Sequence, residues 1–160
     1  MNPVVIHTSG DLSAPPELVW ELLTDWERQS EWMLEMSDVV VTSAVREGVG
    51  VEAKATISVG GIRTTDVVHV DVWERPRHLG LRHEGWVRGR GDIELVPVGE
   101  AGSHLEWTEE LYAPWGVIGA IGLRVFRPVL ARTFRRDLAA LQRLVRSKAT
   151  PRYPGNTDEP

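Results

Sequence analysis

From 50 to 60 the chain alternates without a break. Val51, Ala53, Ala55, Ile57 and Val59 fall on one side; Glu52, Lys54, Thr56 and Ser58 fall on the other. That alternation describes a half-buried β-strand. Gly60-Gly61 marks a tight hairpin turn into a strand over 62–74, with Val68, Val70 and Val72 inward and His69, Asp71 and Trp73 outward. Arg75-Pro76-Arg77 ends it, since proline cannot serve a central strand. Further strand-like runs cover 3–12, 37–46, 78–85, 87–98 and 103–112. About seven strands result, separated by turn signals at the spacing of an antiparallel meander.

Two segments break this period. Residues 13–33 read as a helix start, a short helix, a break and a second short helix. Pro15 and Pro16 suit a first helical turn, Glu17 sits well at its positive end, and Leu18, Val19, Leu22 and Leu23 form an apolar stripe. Asp25 is a candidate cap for the second helix, 26–33. Trp20, Trp26 and Trp32 recur every six residues, too irregular for one continuous stripe. Over 116–147, Leu123, Phe126, Leu130, Phe134, Leu138, Leu141 and Val145 step by three or four, and arginines fill the other positions. Pro128 inside this pattern predicts a kink or a split. The domain is expected over 1–147. The segment 148–160, rich in proline and poor in apolar groups, reads as a disordered tail.

Composition narrows the chemistry. A 160-residue chain with 42% hydrophobic and 26% charged residues fits one globular domain with a real core. The absence of cysteine removes disulfides, thiolate metal sites and cysteine nucleophiles. No secretory signal is visible and the uncharged stretch 113–123 is far short of a membrane span, so a cytoplasmic location is expected. Charge is unevenly spread. Residues 1–115 carry 9 basic and 20 acidic side chains, whereas 116–148 carry 8 basic and 1 acidic. A basic helix can dock on the acidic remainder, or simply be a solvated face, or meet an anionic partner.

The order is strand, two short helices, six strands and one long helix, an α+β arrangement. An antiparallel sheet with one apolar face needs a cover, and only the terminal helix is long enough to supply it. The opening run 14–32, the strand end Trp73-Glu74-Arg75-Pro76-Arg77-His78-Leu79 and the long helix resemble the helix-grip fold of the START-like, or SRPBCC, superfamily. The chain looks most like its polyketide cyclase/dehydrase-type and coenzyme-Q-binding branches. The resemblance covers about residues 3–147 and implies a curved sheet wrapped on the helix around a cavity. It specifies the fold more than the function, since the superfamily includes carriers, enzymes and interaction modules.

Inward parity and the resemblance together give candidate ligand-binding residues. The strands offer Val70, Leu81, Gly91, Ile93 and Trp107; the long helix offers Ile118, Phe126 and Leu130. Trp32, Met33 and Trp115 fall where the family's short helices and the loop before the long helix rim the cavity. These side chains favour a hydrophobic ligand, unless they simply fill the core. Glu109 and His83 share the inward parity and are the candidate acid/base groups. Against that, Glu109 can lie at a solvated mouth or pair with a helix arginine, and a lone inward histidine is commonly a satisfied core residue. Asp66 lies near the Gly60-Gly61 hairpin, where a solvated position is expected.

The five histidines show no metal-ligand spacing, and neither glycine pair, 48–50 or 89–91, has the strand–loop–helix setting of a phosphate cradle. No Gly-x-Ser-x-Gly elbow is present, and no tryptophan alternates with clustered arginines as in single-strand nucleic-acid platforms. No metal, cofactor or nucleic acid is expected, and at most peripheral membrane contact. The leading expectation is binding or transport of a lipid, quinone or polyketide-like molecule. The alternatives are a cofactor-free cyclase or dehydratase using Glu109 or His83, and a protein-interaction module using the basic helix.

Overall fold

A computed structural model describes residues 3–149. After β1 (Val4–Leu12) come α1 (Pro16–Thr24) and a 3₁₀ helix, Trp26–Glu31. Six strands follow: β2 (Met36–Val41), β3 (Glu52–Val59), β4 (Ile62–Glu74), β5 (His78–Glu84), β6 (Arg88–Val98) and β7 (Gly102–Tyr112). The chain then enters α2 (Gly116–Ala149). The strands form one antiparallel sheet in the order β1-β7-β6-β5-β4-β3-β2. Five hairpin-type pairings follow the chain, and one long closure sets Val4 opposite Leu111 and Leu12 opposite Ser103. This is the curved sheet and long helix of the START-like helix-grip fold.

The core lies where α1, the 3₁₀ helix and the second half of α2 meet the sheet. Val19, Trp20, Leu23, Leu79, Leu105, Leu141 and Val145 are sealed from solvent there. Each buried aliphatic or aromatic side chain is worth about 1.5–3 kcal/mol relative to exposure. Gly10 brings α2 close to β1: a Cβ there would stand 3.1 Å from Leu138 Cδ2 and 3.2 Å from Gln142 Nε2.

Several expectations change. Val72 does not face inward. One extra residue, Asp71, bulges β4 between the pairs Val70–Leu81 and Val72–Gly80, so the faces swap after it. Trp73 turns into the core, edge-on to Trp20 at 5.1 Å between ring centroids. Pro128 does not split α2, which is continuous. Pro128 and Arg124, whose carbonyl loses its partner, are both exposed, so water can satisfy the freed oxygen. Strand β2 ends at Val41 rather than 46, because Thr42 and Ser43 turn back onto the carbonyl of Glu52. The second short helix is 3₁₀ and stops at Glu31, and Asp25 stands at its start without a side-chain cap. Lys148 and Ala149 still belong to α2, and the rest of the expected tail lies outside the described residues.

Candidate functional site

The apolar stripe of α2 divides. Leu138, Leu141 and Val145 enter the core and Phe134 packs edge-on to Trp107 at 4.7 Å between ring centroids, but Leu123, Phe126 and Leu130 face an open space. Between them and the sheet lies a cavity of about 510 Å³. Its other walls are the β3–β4 hairpin (Ile57, Val59, Ile62, Thr64), the β5–β6 turn (Gly85, Trp86, Val87), the end of β7 and the loop before β2. Phe126 closes one side by lying on Gly60, where a Cβ would approach its ring to 2.6 Å. The mouth is marked by Trp86 and Trp115, packed edge to face with centroids 5.4 Å apart. Trp115 is 73% exposed and sits in the left-handed region at φ 61, a conformation costly for a bulky residue. Beside it, Ile118, Ile121 and Val125 form an exposed apolar row on α2.

One polar cluster is set into these apolar walls. Asp66 on β4, His83 on β5 and Glu109 on β7 all line the cavity, and all are largely withdrawn from solvent. His83 Nδ1 lies 2.6 Å from Asp66 Oδ2, and its Nε2 lies 3.5 Å from Glu109 Oε2. Trp107 Nε1 donates to Glu109 Oε1 at 2.8 Å. Gly91 makes room, since a Cβ there would stand 2.5 Å from that same oxygen. Burial pulls the His83 pKa down, but Glu109 and Asp66 outweigh it and push it up to about 10. His83 is therefore an imidazolium at neutral pH, flanked by two carboxyl groups. Asp66 is only 5% exposed, contrary to the solvated position expected beside the hairpin, because β5 carries His83 across it. Glu109 is likewise buried rather than at a solvated mouth or on a helix arginine.

A second acidic pair joins the loop before β2 to α2. Glu35 lines the cavity beside Asp137, which accepts the Leu34 N–H at 3.2 Å. Burial first, then Asp137, raises the Glu35 pKa to about 8, and burial raises that of Asp137 as well. Glu35 Oε2 and Asp137 Oδ2 find no hydrogen-bond partner in the protein. Sequence reasoning missed this pair, because the two residues lie on different elements far apart in the chain.

Of the residues singled out from sequence, Glu109, His83, Met33, Trp115, Ile118, Phe126 and Leu130 line the cavity. Trp32, Leu81, Ile93 and Trp107 do not. They surround a small inner void of about 30 Å³ that His83 and Glu109 also border. Trp32, expected at the rim, is 2% exposed and packs on Trp107 with centroids 6.0 Å apart. Val70 and Gly91 line neither space. Trp86 occupies the rim position instead; its isolated place in a turn between two strands was the available signal. Among the described residues no group of three or more His, Asp or Glu side chains is arranged to hold a metal ion.

Comparison with known proteins agrees with this architecture. The sequence profile of the family described as polyketide cyclase / dehydrase and lipid transport matches residues 3–146. A START superfamily protein from Mycobacterium smegmatis superposes with a TM-score of 0.77 at 14% identity, covering 91% of this chain and 99% of its own. The Zhui aromatase/cyclase from a Streptomyces species gives 0.78 at 17% identity, covering 92% and 96%. A conserved protein from Geobacillus kaustophilus gives 0.73 at 20%, covering 91% and 97%. No curated protein matches the sequence significantly. At these identities the structures share the fold.

Proposed function

The chain belongs to the polyketide cyclase / dehydrase and lipid transport family, and from that premise we propose that its cavity binds a hydrophobic or aromatic small molecule. A lipid, a quinone or a polyketide-like compound has the required character. The observation that carries this reading is the unfilled, apolar space of about 510 Å³ under the first half of α2. That volume falls within the range typical of small-molecule sites. The unfilled interior is also the reason to prefer this reading over an interaction module built on the basic helix face. The exposed row at Trp115, Ile118 and Ile121 would meet any lipid surface; no helix among the described residues is long and apolar enough to cross a membrane.

The test is binding of the uncharged, polarity-sensitive dye Nile red to the wild type and to Gly122→Trp. Gly122 lines the cavity and a Cβ there meets nothing within 4 Å, so the indole can enter the space without displacing the helix. Gly91, the natural choice from sequence, is unsuitable because its substituent would strike Glu109. Wild-type binding lost in a folded Gly122→Trp supports the reading. Equal binding in both proteins overturns it.

The Asp66–His83–Glu109 cluster favours a second reading, a cofactor-free cyclase or dehydratase. His83 Nε2 borders the cavity without a hydrogen-bond partner, so it can donate a proton to a ligand oxygen while Asp66 holds the ring from Nδ1. Glu109 is placed to receive a proton in exchange. The aromatase/cyclase among the similar structures lends this reading chemical context. Turnover of a β-hydroxyketone test substrate that persists in His83→Gln would remove it.

A further inference from the structure

The charged groups facing the cavity carry a bias that its apolar walls conceal. Among the described lining residues there is no lysine or arginine, whereas Glu35, Asp66 and Glu109 all reach the space. His83 is the one basic group there, and it already stands between Asp66 and Glu109. The cluster thus sets two carboxyl groups against one imidazole. The Glu35–Asp137 pair adds two further carboxyl groups, both raised in pKa by burial. Arg136 acts on the second pair from the exposed side of α2.

Hydrogen-bond capacity points the same way. Asp66 is buried and lines the cavity, yet its Oδ1 has no partner in the protein. Glu35, 8% exposed, carries a second oxygen without a donor. Buried acceptors without donors are costly, and buried net charge more so, unless something entering the site supplies both. An ammonium group supplies both. It brings hydrogens for the orphaned oxygen and a second positive group to set against the second carboxyl. A carboxylate would bring a third acidic group beside Asp66 and Glu109, which already flank His83 on both sides.

Building on the cavity reading above, we propose that the site selects hydrophobic molecules bearing a protonated amine, held by Asp66 Oδ1, and rejects hydrophobic carboxylates. The apolar body would lie along Leu123, Phe126 and Leu130, with the head at the sheet.

A head-group series tests this. Octylammonium, octanol and octanoate share one tail, and each is titrated at pH 7 against bound Nile red. The expected order of affinity is amine, alcohol, carboxylate, with the amine at least tenfold tighter than the carboxylate. Gly122→Trp, with the cavity filled, should lose all three, which separates cavity binding from attraction of ammonium to an acidic surface. Asp66→Asn should keep the dye and the alcohol and lose at least tenfold for the amine. Octanoate binding as tightly as octylammonium overturns the proposal while the cavity reading stands. An unchanged amine preference in Asp66→Asn overturns the assignment to that carboxylate. If neither the dye nor any amphiphile binds the wild type, the cavity reading falls and this inference falls with it.

Discussion

Replacing His83 by glutamine removes the positive charge of the buried cluster and leaves two carboxyl groups behind. The imidazolium lies 2.6 Å from Asp66 Oδ2 and 3.5 Å from Glu109 Oε2, in a setting where water screens little. Removing one member of a buried ion pair costs about 3–5 kcal/mol. The proton linkage gives the same order. A histidine near 6.5 unfolded and about 10 folded corresponds to roughly 4–5 kcal/mol, at about 1.36 kcal/mol per pH unit. The sign follows from the raised value. In the wild type this stabilisation is complete below about 6.5 and drains away as the pH climbs towards about 10. In His83→Gln one carboxyl must take up a proton instead, so that protein recovers as the pH falls from 7 to 5. Urea unfolding followed by tryptophan fluorescence at both pH values measures the difference. The expected deficit is about 3–5 kcal/mol at pH 7, smaller at pH 5 and partly relieved in the double variant Asp66→Asn/His83→Gln. A deficit below about 1 kcal/mol at pH 7, or one that ignores pH, would refute the charge argument.

Two further substitutions probe the frame around the site. Gly60→Ala combines a φ of 58 with a methyl 2.6 Å from the Phe126 ring, and should cost about 1–3 kcal/mol in thermal unfolding. Gly61→Ala, at φ 82 but facing open space, isolates the backbone share and should cost less. Leu141→Ala, in the sealed core, should lose about 2–5 kcal/mol, whereas Ile118→Ser, at 80% exposure, should stay within about 0.5 kcal/mol by urea unfolding.

Strand alternation and the helical stripe made the fold legible, because each reports a buried face directly. What escaped were departures from periodicity. The extra residue at Asp71 leaves no trace in composition, yet it exchanges Val72 for Trp73 in the core. Pro128 carried a strong local rule that solvent exposure overrode. The site was legible by halves. Parity placed His83 and Glu109 on the inner face, but parity cannot tell a packed position such as Ile93 from a cavity wall such as Leu111. The Asp66–His83 contact depends on how β5 lies beside β4, and the Glu35–Asp137 contact on how α2 lies beside a loop. Neither relation is written in the spacing of residues along the chain.

The divided stripe of α2 has a consequence for motion. Its second half is bolted into the core by Leu138, Leu141 and Val145, while its first half roofs the cavity and exposes Ile121 and Val125 on the other side. Free energy of opening is therefore graded along one continuous helix, low over the first turns and near the global value at the end. Such an element can loosen at its cavity end while its root stays packed. A buried compartment with that kind of roof can exchange its contents on a timescale set by one helix end, without the whole domain unfolding.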